Sequence, residues 1–189
     1  VASVDSACPV LAPPVVERVA PGGYTLEQHL ADNTTMRRVR EGNWTYVVLQ
    51  EQSQFSVVAN DRFAAALLRL TSEVRNVHAT PVVLMTWARP DDRRITTAAL
   101  TRRITAAGAA AKASVIPAGT AFAASLAAHP DVVLTQQDGH PNPAGTYLAA
   151  CTVYAKVLGL NPVGNGFTGG LDATVARSLQ ETAQASVHP

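Results

Sequence analysis

The chain has 189 residues, 47% hydrophobic and 15% charged, with a formal net charge of +1 at pH 7. That length suits one well-buried domain rather than two. The near-neutral balance, with arginines scattered singly or in pairs, leaves no electrostatic footprint for nucleic acid, and no apolar run approaches the ~20 residues that span a bilayer.

Residues 1–14 have no clean hydrophobic period and end in two prolines, so they read as the tail of an element, a helix end over residues 1–7, followed by a loop. Residues 15–20 read as a strand, which Pro21-Gly22-Gly23 closes with a turn. Thr25-Leu26-Glu27-Gln28 then has the hydroxyl and the later Gln that a capping box needs, and it opens a helix. A second short helix starts near Asn33 and stops at Glu41-Gly42-Asn43. Tyr46-Val47-Val48-Leu49 is a continuous run of strand formers, as expected of a strand covered on both faces in a parallel sheet. It exits into Gln50-Glu51-Gln52-Ser53, four polar side chains at the carboxyl end of a strand, where open α/β sheets place their ligands. A solvated strand end is the other reading of these four.

Residues 61–77 form a covering helix with Phe63, Leu67, Leu70 and Val74 on one face. Residues 81–87 are the next strand, and they too exit into a polar cluster, Arg89-Pro90-Asp91-Asp92. An Ala- and Thr-rich helix over 92–112, a short strand over 114–117, a helix over 122–128 and an edge segment over 131–134 follow. Helices over 143–158 and 172–186 complete the chain. Strands alternating with helices indicate parallel βαβ units with right-handed crossovers, hence a three-layer α/β/α doubly wound fold in a single domain.

The most informative stretch is Gln137-Asp138-Gly139-His140-Pro141-Asn142-Pro143, which places an acid and an imidazole where a loop becomes a helix. Asn142 as N-cap and Pro143 as first helical residue fix the start of that helix. Asp138 is close enough for its carboxylate to hold the His140 ring in one tautomer, the orienting role of the acid in a Ser-His-Asp triad. A turn and a cap are the plainer reading of the same residues. His29, His78, His129 and His188 have no such setting. Cys8 and Cys151 are the only cysteines; they could pair or remain buried thiols, and no close Cys/His spacing suggests a metal site.

Pro21-Gly22-Gly23 with Tyr24-Thr25-Leu26, then residues 46–53, then residues 138–151 resemble, in order and spacing, the SGNH (GDSL-like) hydrolases, in particular a bacterial branch with a Leu-Gln-Glu-Gln-Ser strand end. The resemblance covers residues 15–171. It implies a flavodoxin-like α/β/α fold and hydrolysis of small acyl esters, carbohydrate acetyl esters among them, without metal or cofactor. It also implies His140 and Asp138 as catalytic residues, and an oxyanion hole built from the backbone N–H of Gly23 (or Gly22) and the side-chain amide of Gln52, which stands where the family's usual Asn is found. One such donor aimed at a tetrahedral intermediate is worth ~3 kcal/mol. Gln50, Glu51, Trp87 and Arg89 are expected around the substrate pocket, with the core as an equal alternative for Trp87. Family habit and the cysteines point toward secretion, although the pair by itself leaves the compartment open.

Two departures stand out. Many relatives keep the acid three residues before the His, a position held here by Gln137, so Asp138 serves from two residues away or the site is a dyad. The family also opens with an apolar strand ending in Gly-Asp-Ser or Gly-Asn-Ser, and nothing before Pro21 matches it; Ser3 and Ser6 follow no such strand. Gly164-Asn165-Gly166 imitates that block with Gly for Ser, but Asn161-Pro162-Val163 before it is a poor buried strand. Ser53 is the remaining hydroxyl, better suited to supporting the site. The expectation is therefore that the first strand and its serine lie upstream of this chain, leaving the strands at residues 15–20 and 46–50 without their shared neighbour. A non-catalytic domain of the same fold that binds a glycan or a partner is the alternative.

Overall fold

The computed structural model describes residues 14–188. A three-stranded parallel sheet runs in the order β1 (Tyr46–Gln50), β2 (Thr80–Leu84), β3 (Ser114–Ile116), with Leu49 opposite Val83 and Leu84 opposite Ile116. The helices are α1 (Leu26–Ala31), α2 (Asn33–Glu41), α3 (Phe55–Val58), α4 (Asn60–Asn76), α5 (Thr97–Ala110), α6 (Ala118–Ala128), α7 (Pro143–Leu158) and α8 (Ala173–Val187). They pack as two layers. Leu26, Met36, Phe63, Leu67, Leu70 and Ile104 close over Leu49 and Val83 on one side. Phe122, Leu134, Tyr147, Leu148 and Leu179 make a second core from α6, α7 and α8. Each fully buried Phe or Leu contributes about 1.5–3 kcal/mol of transfer free energy, so the α4 stripe of Phe63, Leu67 and Leu70 is the main anchor of the first layer.

Local rules set most element ends. The capping box at α1 is complete, with Thr25 and Gln28 each accepting from the other's backbone N–H. Asp32, Thr96, Asn142 and Asp172 cap α2, α5, α7 and α8 with side-chain oxygens. The α5 helix starts later than residue 92 because Asp92 turns back to accept the Arg94 N–H and side chain. Thr96 is then the first residue able to cap.

Two expected strands are absent. Residues 15–20 have no secondary structure and expose Val15 and Val16, and no strand among the described residues takes up their backbone hydrogen bonds. Residues 131–134 are a turn and bend running into irregular chain rather than an edge strand; past them, only the single antiparallel bridge between Thr135 and Pro141 forms. The expected helix end at residues 1–7 lies outside the described residues, as do Ser3, Ser6 and the partner half of any Cys8–Cys151 bond. Cys151 itself is buried in the second core.

Only one edge of β1 is paired among the described residues. Its Val47 and Leu49 face the first core, while Tyr46 and Val48, on the opposite face, remain 40% and 45% exposed. A parallel strand is ordinarily covered on both faces, so this open edge and half-open face distinguish β1 from β2, where Val82 and Val83 are both buried.

Candidate active site

The residues from Thr135 to Pro141 form a closed loop at the carboxyl end of the sheet. The Gln136 N–H donates to the His140 carbonyl at 2.7 Å, the Gly139 N–H to Gln136 at 3.1 Å and the Asn142 N–H to Leu134 at 3.0 Å. Asn142 finishes the loop with both ends of its amide: Oδ1 accepts the Gly145 N–H at 3.0 Å and Nδ2 donates to Val133 at 2.8 Å. From below, the Trp87 indole N–H donates to the Gly139 carbonyl at 3.0 Å, and its ring stacks on Phe122 with centroids 4.2 Å apart. Gly139 has φ +80°, and a Cβ there would come within 2.8 Å of the Arg89 side chain. Only Gly fits both the left-handed backbone and the close approach.

On this platform Asp138 Oδ2 lies 3.0 Å from His140 Nδ1, and Oδ1 accepts the His140 backbone N–H at 3.1 Å. The carboxylate thus fixes both the backbone and the ring of the same residue. With Nδ1–H donated to the carboxylate, Nε2 carries the lone pair and is the acceptor presented to solvent. The Asp138 carboxyl is held below its ordinary range by the His140 backbone hydrogen bond first, then by the His140 side chain and the Arg89 charge. The pair is open to water, with side chains 61% and 71% exposed.

The β1 exit is built differently. Glu51 is only 3% exposed. Its carboxylate accepts the Leu26 N–H at 3.2 and 3.3 Å and the Gln52 N–H at 2.7 Å. Burial raises the Glu51 carboxyl to about 7, against the lowering effect of those two hydrogen bonds. Gln52 Oε1 accepts the Gln54 N–H at 3.0 Å. Only the oxygen of that amide can accept, so the NH2 group is turned to the other side, and no hydrogen bond among the described residues uses it. Gly23, at φ +74°, sits three residues before Leu26 with open space where a side chain would be.

Contacts join the pieces at one edge of the sheet. Thr86 Oγ1 donates to the Ser53 carbonyl at 3.1 Å, and Gln54 Nε2 reaches Asp92 at 3.3 Å, so the exits of β1 and β2 are tied. The β2 exit carries the His140 loop through Trp87 and Arg89. The β1 exit carries the Gly23 turn through Glu51 and Leu26.

Several pocket expectations need correction. Glu51 faces into the fold, not into a pocket, because two backbone donors and the apolar surround claim its carboxylate. Trp87 is a half-buried brace beneath the His140 loop rather than a substrate wall. Arg89 is turned against Gly139 and is paired with Asp91 at 2.6 Å. Gln50 is exposed in line with Tyr46 and Val48. Sequence reasoning missed a groove of about 470 Å³ that flanks the loop, lined by Gln136, Pro141, Asn142, Tyr147 and Phe167. Its Tyr147 is held from behind by Gln180, which is buried on α8 and donates to Tyr147 Oη at 2.8 Å and to the Asn165 carbonyl at 2.9 Å. A buried Gln in the apolar stripe of α8 was the available signal. Among the described residues there is no group of three or more His, Cys, Asp or Glu able to hold a metal ion.

No family model matches the sequence, and no curated protein matches it. Among solved structures, the chain is similar to a candidate SGNH hydrolase from Slackia heliotrinireducens, with a TM-score of 0.62 at 24% identity over 70% of this chain and 78% of that one. At that identity the likeness speaks for architecture alone. With its parallel sheet flanked by helices, this chain has an SGNH-like α/β fold.

Proposed function

We propose that this domain is an SGNH-type hydrolase that cleaves small acyl esters, carbohydrate acetyl esters included. The observation that carries the reading is the 3.0 Å contact from Asp138 to His140 Nδ1 at the carboxyl edge of a parallel sheet, with Nε2 free to accept a proton. In the proposed reaction a serine hydroxyl gives its proton to Nε2 as its oxygen attacks the ester carbonyl. The imidazolium so formed is stabilised by Asp138 and returns the proton to the departing alkoxide. The Gly23 N–H and the Gln52 NH2 would donate to the oxyanion that develops on the carbonyl oxygen. Water then repeats the sequence on the acyl-enzyme. The groove beside Tyr147 and Phe167 is the place for the alcohol part of the substrate.

The reading calls for a serine on a strand paired with the edge of β1 that is unpaired among the described residues. The exposed Tyr46 and Val48 are the surface that such a strand and its following helix would cover. Treating the full-length protein with a fluorophosphonate probe and mapping the adduct tests this. One labelled serine outside residues 14–188, with labelling lost in His140→Ala, is the expected result. Labelling at Ser53, or labelling that His140→Ala leaves intact, would reject it.

The second reading is a non-catalytic domain of this fold that binds a glycan or a partner. The wide exposure of Asp138 and His140 favours it, since such a pair needs no enclosed cleft. A full-length protein that binds acetylated oligosaccharide without hydrolysing it would establish that reading.

A further inference from the structure

Glu51 is a buried carboxylate that the proposed reaction does not use. It stands in the middle of the polar run after β1, flanked by the exposed Gln50 and by Gln52, yet it points inward. Its carboxylate accepts from parts of the chain that are far apart in sequence: Leu26, at the start of α1, and Gln52, the next residue along. The Leu26 N–H lacks an intrahelical partner, as the first N–H groups of any helix do, so the contact removes an unsatisfied donor and at the same time joins two loops. No other side chain joins the Gly23 turn to the β1 exit by a hydrogen bond among the described residues.

We propose that Glu51 is the positioning residue of the oxyanion site, its carboxylate holding the Gly23 turn against the β1 exit so that the Gly23 N–H and the Gln52 amide face one oxygen. This rests on the reading of Gly23 and Gln52 as oxyanion donors. The charged form suits the task, because the Leu26 and Gln52 N–H groups both reach Oε1, and each bond is stronger to a carboxylate than to a neutral carboxyl. Burial works against that charge and puts its titration at about 7, so the clamp is set to loosen as the solution becomes acidic. The charged groups that bear on it are Glu27 on α1, which opposes the charge, and Arg62 on α4, which favours it. Those two are paired with each other at 3.0 Å through the Arg62 Nε, so their influence on Glu51 largely cancels. The neighbouring α3 contributes no ionisable group.

The test is an amide NMR titration of the 15N-labelled full-length protein between pH 5 and 9, alongside steady-state hydrolysis of p-nitrophenyl acetate by the wild type and Glu51→Gln. The Leu26, Gln52 and Gly23 amide signals should move together with a midpoint of about 7 in the wild type and stay flat over that transition in Glu51→Gln. Glu51→Gln should lower kcat about 10²-fold with KM little changed, the expected result of donors displaced by about an ångström. The inference is overturned if no amide titrates, if Leu26 and Gln52 titrate while Gly23 does not, or if the variant changes KM alone. The titration needs no turnover. A wild type that hydrolyses no ester therefore counts against the proposed function, while the Gly23 signal still decides whether Glu51 sets that turn.

Discussion

Two carboxylates at the same edge of the sheet are treated in opposite ways. Asp138 lies in solvent, is held below its ordinary range by hydrogen bonds from His140, and acts on the single residue two positions ahead of it. Glu51 is buried, is raised to about 7 by desolvation, and joins segments 25 residues apart. The difference separates what the acids can do. An exposed carboxylate can orient an imidazole whose charge changes during turnover, because water accommodates each state. A buried one holds backbone most firmly while it stays charged, and the fold resists that charge. In the proposed function, chemistry and positioning thus fall to different acids.

The comparison can be sharpened by removing the groups each acid serves. Gln52→Ala takes away a donor supported from the Glu51 side, and kcat should fall about 10²–10³-fold, the usual loss for one oxyanion donor. Gln52→Asn, which keeps the amide, should recover part of it. Steady-state kinetics on the full-length protein reads both variants. A smaller loss is expected for Asp138→Asn, about 10–10²-fold in kcat. A buried triad acid costs more, but water already shares the orientation of this open pair. If Asp138→Asn leaves turnover unchanged, Asp138 is only a turn former.

The third effect is on stability. Because the folded state raises the Glu51 carboxyl from 4.5 to about 7, it binds that proton more tightly than the unfolded chain does. Its contribution to stability is therefore complete below pH 4.5 and is lost as pH rises through 7, on the order of 3 kcal/mol by linkage. Urea unfolding at pH 5 and pH 8 should show that drop in the wild type and its loss in Glu51→Gln. For Asp138 the sign is reversed: its lowered carboxyl favours folding above the ordinary carboxylate range, and that contribution fades as the solution is acidified. A Glu51→Gln curve with the wild-type slope would show that Glu51 is not the titrating group.

Much of this architecture was legible because local chemistry agrees with tertiary structure. Asn142-Pro143 fixes the first residue of α7, Thr25 and Gln28 close their capping box, and the apolar run at 46–49 becomes β1. The start of α6 at Ala118 was hidden, since Pro117 makes no side-chain cap bond and Ala-Gly-Thr-Ala carries no apolar stripe. Residues 15–20 misled because a strand needs a partner, and β-propensity cannot report whether one is present. At the site, the spacing of Asp138 and His140 disclosed their contact, whereas the inward turn of Glu51 and the bracing by Trp87 depend on segments 25 and 52 residues away. No local pattern carries that information.

The most direct test of the central claim is kcat/KM for p-nitrophenyl acetate hydrolysis by the full-length protein and its His140→Ala variant, with folding of both checked by circular dichroism. The account predicts turnover in the wild type and a loss of about 10³–10⁴-fold in the variant, as expected when the general base of a serine-type hydrolase is removed. Equal rates in two folded proteins would contradict it.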